Sequence, residues 1–205
     1  MDPNGEEIGN YYDINGDIIG SDKVDDNKVY LVSDRNGISK DDDGYIIVRD
    51  QSCVHELPDF KSRGKILDKL IASDEKDPNS ESGGCYGQFW NKEKQMYESP
   101  ETKWGETYHY NDPSTDKEMG YSQIHIPGFI VIFDYHSHGS GKSPQEVLIN
   151  FWEQTPSPRD INNAGIRSDG LRTFAVFGME SQKVYFYDQN GHYASWSFDQ
   201  FRNNK

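Results

Sequence analysis

The chain has 205 residues, of which 33% are hydrophobic and 13% aromatic, so it has the length for one sizeable domain with a modest core and long polar loops. Its net charge of −14 argues against a nucleic-acid-binding surface, because such surfaces concentrate lysine and arginine. The sequence contains no run of about 18 apolar residues, which argues against a transmembrane helix, and the acidic start MDPNGEEIGN does not resemble a secretory signal peptide.

The first 50 residues are the most acidic part of the chain. They contain 13 Asp or Glu and 5 Lys or Arg, and therefore carry −8 of the −14. Asn15-Gly16 and Asn36-Gly37 each separate two short strand-like runs, a pattern that predicts β-hairpins. We interpret residues 1–50 as an acidic β-hairpin region whose charge is solvated, with docking of a basic partner as the alternative.

A helix is predicted over residues 59–73, because four apolar residues recur at helical spacing on one face: Ile66, Leu67, Leu70 and Ile71. Pro78 and its polar neighbours end this helix. Residues 81–90 predict a strand that is followed by a turn and a second strand. The polar region 100–123 is predicted to be an extended loop with one short strand at ETYHY.

The second half of the chain begins with its clearest buried strand, 128–136, which is β-branched and aromatic. Helix starts are predicted at Ser143 and at Ser157, where Ser157 is a natural N-cap and Pro158 suits the first helical position. Three strands follow, at RTFAVFG, KVYFYD and YASWSF, with a turn at Asn190-Gly191 between the last two. This order predicts an α+β fold, with a mixed central sheet and flanking helices, preceded by short N-terminal β-hairpins.

Two histidines, His136 and His138, lie one residue apart at the end of the apolar strand. Side chains at i and i+2 of a strand point the same way, so both imidazoles can face one point. Neutral imidazole is a good zinc ligand, and a catalytic zinc takes three protein ligands and keeps one position for water. Asp160, in the first turn of the helix after Ser157, is the candidate third ligand, since the helix N-terminus favours a carboxylate there. Two alternatives stay open, a surface histidine pair and a simple helix cap.

The remaining candidate sites favour simpler interpretations. Cys53 and Cys85 form no CxxC pair and are expected to be buried thiols in a reducing compartment. His55 and Glu56 are expected to be an ordinary loop pair and not a second site. The run GSGKS is not a phosphate-binding loop, because His136 stands where the first glycine of that motif belongs.

Taken in order, Glu81 with two glycines soon after it, His136-x-His138 and Ser157-x-x-Asp160 resemble the motif of the JAB/MPN (JAMM) metallopeptidase domain. The resemblance covers roughly residues 59–187 and implies a JAB-like domain over 51–205. It implies that His136, His138 and Asp160 bind Zn²⁺, that Glu81 is the general base and acid, and that Ser157 stabilises the oxyanion. The implied substrate is a protein or peptide, cleaved at a peptide or isopeptide bond.

The sequence most resembles the JAB-like toxin domains at the C-termini of bacterial Rhs-type polymorphic toxins. DPNG at 2–5 supports this resemblance, because it is similar to the Asp-Pro-x-Gly that closes an Rhs core. That resemblance implies that residues 1–50 are a linker after such a core. It also implies a secreted effector that is cytoplasmic before delivery into a target cell, and a cognate immunity protein that blocks it.

The sequence departs from the family pattern in two places. Eighteen residues separate His138 from Ser157, more than is usual, and Gly139 replaces the usual proline after the second histidine. Two other functions therefore remain as alternatives. One is a catalytically degenerate JAB-like module that binds a protein partner, and the other is a metal-dependent hydrolase of another class, such as a nuclease.

Overall fold

The computed structural model describes residues 8–26, 28–105, 107–109, 126–141, 153–167 and 172–204. In these ranges the α-helices are α1 Phe60–Lys76, α2 Pro158–Arg167 and α3 Phe198–Asn203. The strands are β1 Ile8–Tyr12, β2 Ile18–Asp25, β3 Val29–Val32, β4 Ile38–Lys40, β5 Ile46–Val48, β6 Val54–Leu57, β7 Ser80–Glu81, β8 Gly83–Asn91, β9 Met96–Tyr97, β10 Glu101–Trp104, β11 Tyr108–His109, β12 Phe129–His138, β13 Thr173–Gly178, β14 Lys183–Asp188 and β15 Gly191–Ser197. The expected mixed α+β class is confirmed.

The central sheet has the strand order β10-β8-β12-β13-β14-β15, and β9 also pairs with β8. Strands β12 and β13 are parallel, and the other pairs in this sheet are antiparallel. Helix α2 lies in the connection between β12 and β13, because parallel neighbours need a crossover. Residues 131–138 of β12 are all buried, between β8 and β13. The two histidines therefore occupy the carboxyl end of a buried central strand.

A second sheet, of order β2-β1-β3-β6, joins the first 50 residues to the rest of the chain. Strand β6 lies beyond residue 50 and pairs with β3. Tyr12, Val29 and Leu31 belong to the same buried cluster as Phe133 and Trp196 of the central sheet. The boundary expected at residue 50 therefore falls within a sheet and a hydrophobic core that both sides share.

Of the two predicted Asn-Gly hairpins, the first is confirmed and the second is wrong. Gly16 adopts φ 81° in the turn between the antiparallel strands β1 and β2. Around Gly37 the Asp34 carboxylate accepts the N–H of Asn36 and begins a 3₁₀ turn at Arg35–Gly37. Strand β4 then pairs with β5, while β3 pairs with β1 and β6. A Cβ on Gly37 would lie 2.2 Å from the Cys53 sulfur, so this glycine permits close packing and not a hairpin turn.

The other sequence expectations have mixed outcomes. The first helix is confirmed and extends three residues further, to Lys76, with Asp59 as its N-cap. The loop expected from residue 100 is wrong at its start, because Glu101–Trp104 forms β10 against β8. The helix expected at Ser143 lies outside the described residues, as does DPNG at 2–5. Cys53 and Cys85 are buried free thiols, as expected.

The short C-terminal helix α3 packs on α1 through a buried arginine. The Arg63 guanidinium donates to the carbonyl of Phe201 at 2.9 Å and also to the carbonyl of Asn204. Burial lowers the pKa of Arg63 to about 10. A cation at the end of a helix also satisfies carbonyls that lack intrahelical partners. Within the described part of the chain, no helix is long and apolar enough to cross a membrane.

Candidate metal centre

Strand β12 presents His136 and His138 side by side at its carboxyl end. Both side chains are buried, and their Nε2 atoms lie 3.2 Å apart. The alternation of side chains along a strand explains why residues i and i+2 share a face. The two imidazoles therefore converge as the spacing predicted, and they are not a surface pair.

Asp160 reaches the same point from the first turn of α2. Its Oδ1 lies 3.3 Å from the His136 Nε2, and its Oδ2 lies 3.6 Å from the His138 Nε2. One ligand atom from each of the three residues lies within 4.8 Å of the other two, a spacing that can hold a metal ion. Among the residues that the structure describes, this is the one such group of His, Cys, Asp or Glu.

Ser157 holds the Asp160 carboxylate in place. Its hydroxyl and its backbone N–H each donate to Oδ2 at 2.7 Å, and the Asp160 N–H donates back to the Ser157 Oγ at 3.2 Å. This is the reciprocal pattern of a helix N-cap with an acidic residue at N3. The cap uses Oδ2, which also faces His138, and leaves Oδ1 directed at His136. Asp160 thus takes part in the helix cap and is also the candidate metal ligand.

The tautomer of His138 is set by the main chain. Its Nδ1 lies 2.5 Å from the carbonyl oxygen of Glu153, which only accepts hydrogen bonds. The proton therefore lies on Nδ1, and Nε2 keeps its lone pair on the side of Asp160. Metal-binding histidines commonly donate their other ring N–H to such an acceptor.

The electrostatics of the cluster favour a cation. Burial lowers the pKa of His136, but the charge and hydrogen bond of Asp160, with the charges of Glu81 and Asp134, raise the pKa above its ordinary value. Burial opposes ionisation of Asp160, yet His136 and His138 hold the pKa of its carboxyl well below the usual range. A negative, desolvated carboxylate between two imidazoles attracts positive charge, whether a proton or a metal ion.

Glu81 lies at the edge of this cluster. It is buried in β7, and its Oε1 lies 3.8 Å from the His138 Nε2. The adjacent Ser82 is held by Ser137, whose Oγ accepts the Ser82 N–H at 3.1 Å and donates to the Ser82 carbonyl at 3.2 Å. The residue between the two histidines thus fixes the segment that carries the glutamate.

Gly83 explains the need for glycine after the glutamate. It pairs with His136 in the β8–β12 register. A Cβ at this position would lie 2.6 Å from the Tyr135 carbonyl oxygen and 2.9 Å from the His136 Cβ. Any other residue would push β8 away from the strand that carries both histidines.

The two departures from the family pattern leave the cluster intact. A Cβ on Gly139 would lie 2.3 Å from the Pro78 carbonyl oxygen, so the usual proline does not fit here. Gly141 donates its N–H to the same carbonyl at 2.8 Å, which fixes the start of the long connection. At its far end the connection returns to His138 through the Glu153 carbonyl. The extra length is therefore compatible with convergence of the four side chains.

His55 and Glu56 lie in strand β6 and not in the expected loop, but both are packed as structural residues. His55 Nε2 lies 2.9 Å from the Ser33 Oγ, and its ring stacks on Tyr193. Glu56 forms an ion pair with Lys28 at 3.0 Å. Neither belongs to the His-His-Asp group.

Sequence reasoning missed two contributors to the centre: Ser137 and the Glu153 carbonyl. The position of Ser137 between the histidines could have indicated a role on the opposite face of β12. A main-chain carbonyl has no residue signature, so nothing in the sequence could have indicated Glu153.

Searches against models of protein families, curated proteins and solved structures each gave no match to this chain. The assignment of the centre therefore depends on the residues and geometry described above.

Proposed function

We propose that this chain is a zinc-dependent hydrolase of the JAMM type that cleaves a peptide or isopeptide bond. The observation that carries the proposal is the convergence of the motif residues from three separate segments: Glu81 from β7, His136 and His138 from β12, and Asp160 from α2. In the sequence, helix α1 precedes strand β8 and helix α2 follows strand β12 of the mixed central sheet. This order is consistent with a JAB-like arrangement.

The donor set fits zinc better than a hard cation. Two imidazole nitrogens and one carboxylate oxygen are a usual ligand set of catalytic zinc, whereas Mg²⁺ and Ca²⁺ prefer oxygen donors. The Nδ1 contact of His138 with the Glu153 carbonyl leaves Nε2 as the available donor atom. Three protein ligands would leave one ligand position open to water or substrate.

A bound zinc ion would supply Lewis acidity, which lowers the pKa of a coordinated water to about 7 and polarises a carbonyl. Glu81 accepts the proton of the attacking water and returns it to the leaving amine. Its Oε1 lies 3.8 Å from the His138 Nε2, at the edge of the group that would hold the ion. Ser157 orients Asp160, and its hydroxyl is proposed to donate to the developing oxyanion.

We further propose that the hydrolase is the toxin module of a secreted effector. The support is the sequence resemblance to C-terminal JAB-like domains of Rhs-type toxins, including DPNG at 2–5. On this proposal the chain is delivered into a target cell, acts on a protein or peptide, and is held inactive by a cognate immunity protein. The net charge of −14 favours a protein substrate over nucleic acid.

The test compares the wild-type protein with Glu81→Ala, both loaded with equimolar zinc, on peptide, isopeptide and nucleic-acid substrates. We expect cleavage of peptide or isopeptide bonds by the wild type. Glu81→Ala should keep its zinc and lose turnover by about 10²–10⁴-fold, the usual contribution of a general base. Retained turnover in zinc-loaded Glu81→Ala would contradict the mechanism. Zinc binding without turnover would favour a binding module, and cleavage of nucleic acid alone would favour a nuclease.

A further inference from the structure

The side-chain amide of Gln154 connects three segments beside the metal centre. Its Nε2 donates to the carbonyl of Gly139, 3.1 Å away, just after β12. Its Oε1 accepts the N–H of Glu180 at 2.8 Å and of Ser181 at 3.2 Å, in the turn between β13 and β14. One side chain thus fixes the point at which the long connection returns to the central sheet.

This anchor lies next to the carbonyl that sets the tautomer of His138. Glu153 accepts from the His138 Nδ1 through its main chain, while its own side chain is exposed. The Glu153 side chain contacts the Thr155 Oγ1 at 3.2 Å and does not hold the carbonyl against the sheet. Four residues after Glu153, Ser157 caps α2 and orients Asp160. The Gln154 bonds therefore lie between the contact that orients one ligand and the cap that orients another.

Close packing at β13 supports the same conclusion. A Cβ on Gly178 would lie 2.8 Å from the Gln154 carbonyl oxygen and 3.1 Å from the Gln154 Cβ. The backbone of residue 154 is thus pressed against the strand that neighbours β12, which only a glycine at 178 permits. The position of Gln154 is set from both sides, by its amide and by its main chain.

We propose that Gln154 is a positioning residue for zinc, and that its side chain sets metal affinity by holding the Glu153 carbonyl against His138. The inference rests on the proposed zinc-binding function and adds a residue outside the JAMM motif. Without the amide, the return segment loses its bonds to Gly139, Glu180 and Ser181. The His138 ring then loses its fixed acceptor, and Nε2 is no longer the obligatory lone-pair nitrogen. Outer partners of metal-binding histidines typically change metal affinity by about 10–100-fold.

The test uses Gln154→Met, which preserves side-chain length and removes all three hydrogen bonds. Gln200→Met is the matched control. Gln200 also anchors separate segments, through Nε2 to the Asn15 carbonyl at 2.7 Å and Oε1 to the Ser197 N–H at 2.9 Å, but these partners lie outside the candidate centre. Zinc affinity is measured by competition with a chromophoric chelator. The His138 tautomer is read from ring ¹⁵N chemical shifts in the zinc-free protein.

We expect Gln154→Met to bind zinc about 10–100-fold more weakly and to lose the preference of His138 for a proton on Nδ1. Gln200→Met should keep wild-type zinc affinity and the wild-type tautomer of His138, even if its thermal stability falls as much as that of Gln154→Met. Unchanged affinity and tautomer in Gln154→Met would overturn the inference, and so would an equal loss of affinity in both variants. If the wild-type protein binds no zinc, the proposed function fails and this inference fails with it. If the wild-type protein binds zinc but Gln154→Met and Gln200→Met bind it equally well, only the inference about Gln154 fails.

Discussion

The Oγ of Ser157 lies 2.7 Å from the Oδ2 of Asp160, so a single serine both begins helix α2 and orients the candidate metal ligand. The serine hydroxyl has one proton, and here it donates to Asp160. A role as oxyanion donor therefore requires this proton to turn from Oδ2 towards the substrate. The backbone N–H of Ser157, also 2.7 Å from Oδ2, would continue to hold the carboxylate.

Replacing this serine separates the two roles. Ser157→Ala removes the cap, and we expect about 1 kcal/mol less free energy of unfolding together with weaker zinc binding and slower turnover. Ser157→Thr keeps a hydroxyl and should preserve most of all three. Urea denaturation, chelator competition and peptide cleavage measure them in turn. Wild-type zinc affinity and turnover in Ser157→Ala would show that the contact is only a helix cap.

Ser137 provides a way to move Glu81 without touching the metal ligands. In Ser137→Ala the segment around Ser82 loses two hydrogen bonds, at 3.1 and 3.2 Å, while both histidines remain on β12. We expect kcat to fall by up to about 100-fold, since small misplacements of a catalytic group have effects of this size, with zinc affinity unchanged.

The control for that variant is Ser73→Ala. The Ser73 Oγ lies 2.6 Å from the Ser82 Oγ, so it contacts the side chain of Ser82 and not the backbone. The Ser73→Ala substitution should leave kcat near the wild-type value. A parallel loss of zinc affinity in Ser137→Ala, or equal losses of kcat in both variants, would contradict the assigned role.

The lowered pKa of His55 leads us to expect a pH dependence of stability that is independent of the metal centre. Burial lowers the pKa of His55 from 6.5 to about 4 in the folded protein. The unfolded chain therefore binds this proton at a higher pH than the folded chain, and stability decreases as pH falls from 6.5 towards 4. By pH 5.5 the loss should be about 1.4 kcal/mol, the value of one pKa unit.

The measurement compares urea denaturation of the wild type and His55→Gln between pH 7.5 and 5.5, which stays above the sequence isoelectric point of 4.7. The carboxylates contribute equally to both proteins, so the difference in unfolding free energy isolates His55. The unfolding free energy of the wild type minus that of the variant should decrease as pH falls, because only the wild type carries this histidine. A difference that is constant over this range would refute the neutral state of His55 in the folded protein.

Arg63 connects helix α1 to the end of helix α3. Arg63→Met keeps much of the side-chain bulk but leaves the carbonyls of Phe201 and Asn204 without this donor. We expect about 1–3 kcal/mol of destabilisation for each carbonyl left unsatisfied. Lys65→Met, at an exposed position on the same helix, should change stability by less than about 0.5 kcal/mol. Equal stabilities of the two variants would contradict this role.

Local patterns predicted the elements that carry the candidate site. The apolar run gave the strand that became β12, and Ser157 with Asp160 gave the start of α2, because both signals act over a few residues. The second Asn-Gly pair misled, since the Asp34 carboxylate caps a 3₁₀ turn there and strand pairing is decided by distant residues. The six residues of α3 are too few to show a helical period, although Ser197 and Gln200 form a capping box that could have marked its start.

The same distinction holds within the site. Residue types and spacing brought His136, His138 and Asp160 to attention, because zinc chemistry limits which side chains serve. Glu81 was implied only by the resemblance to the JAMM motif. The Glu153 carbonyl and the Gln154 amide lie fifteen and sixteen residues after His138, and their roles depend on where this segment returns to the central sheet. Such contacts follow from tertiary packing and not from composition.

The most direct test of the central claim is anomalous diffraction at the zinc edge from crystals grown with equimolar zinc. The account predicts one strong peak at about 2.0–2.2 Å from the Nε2 atoms of His136 and His138 and from a carboxylate oxygen of Asp160, with Glu81 beside it and not bonded to it. A peak held by other residues, or no peak among these three side chains, would contradict the account.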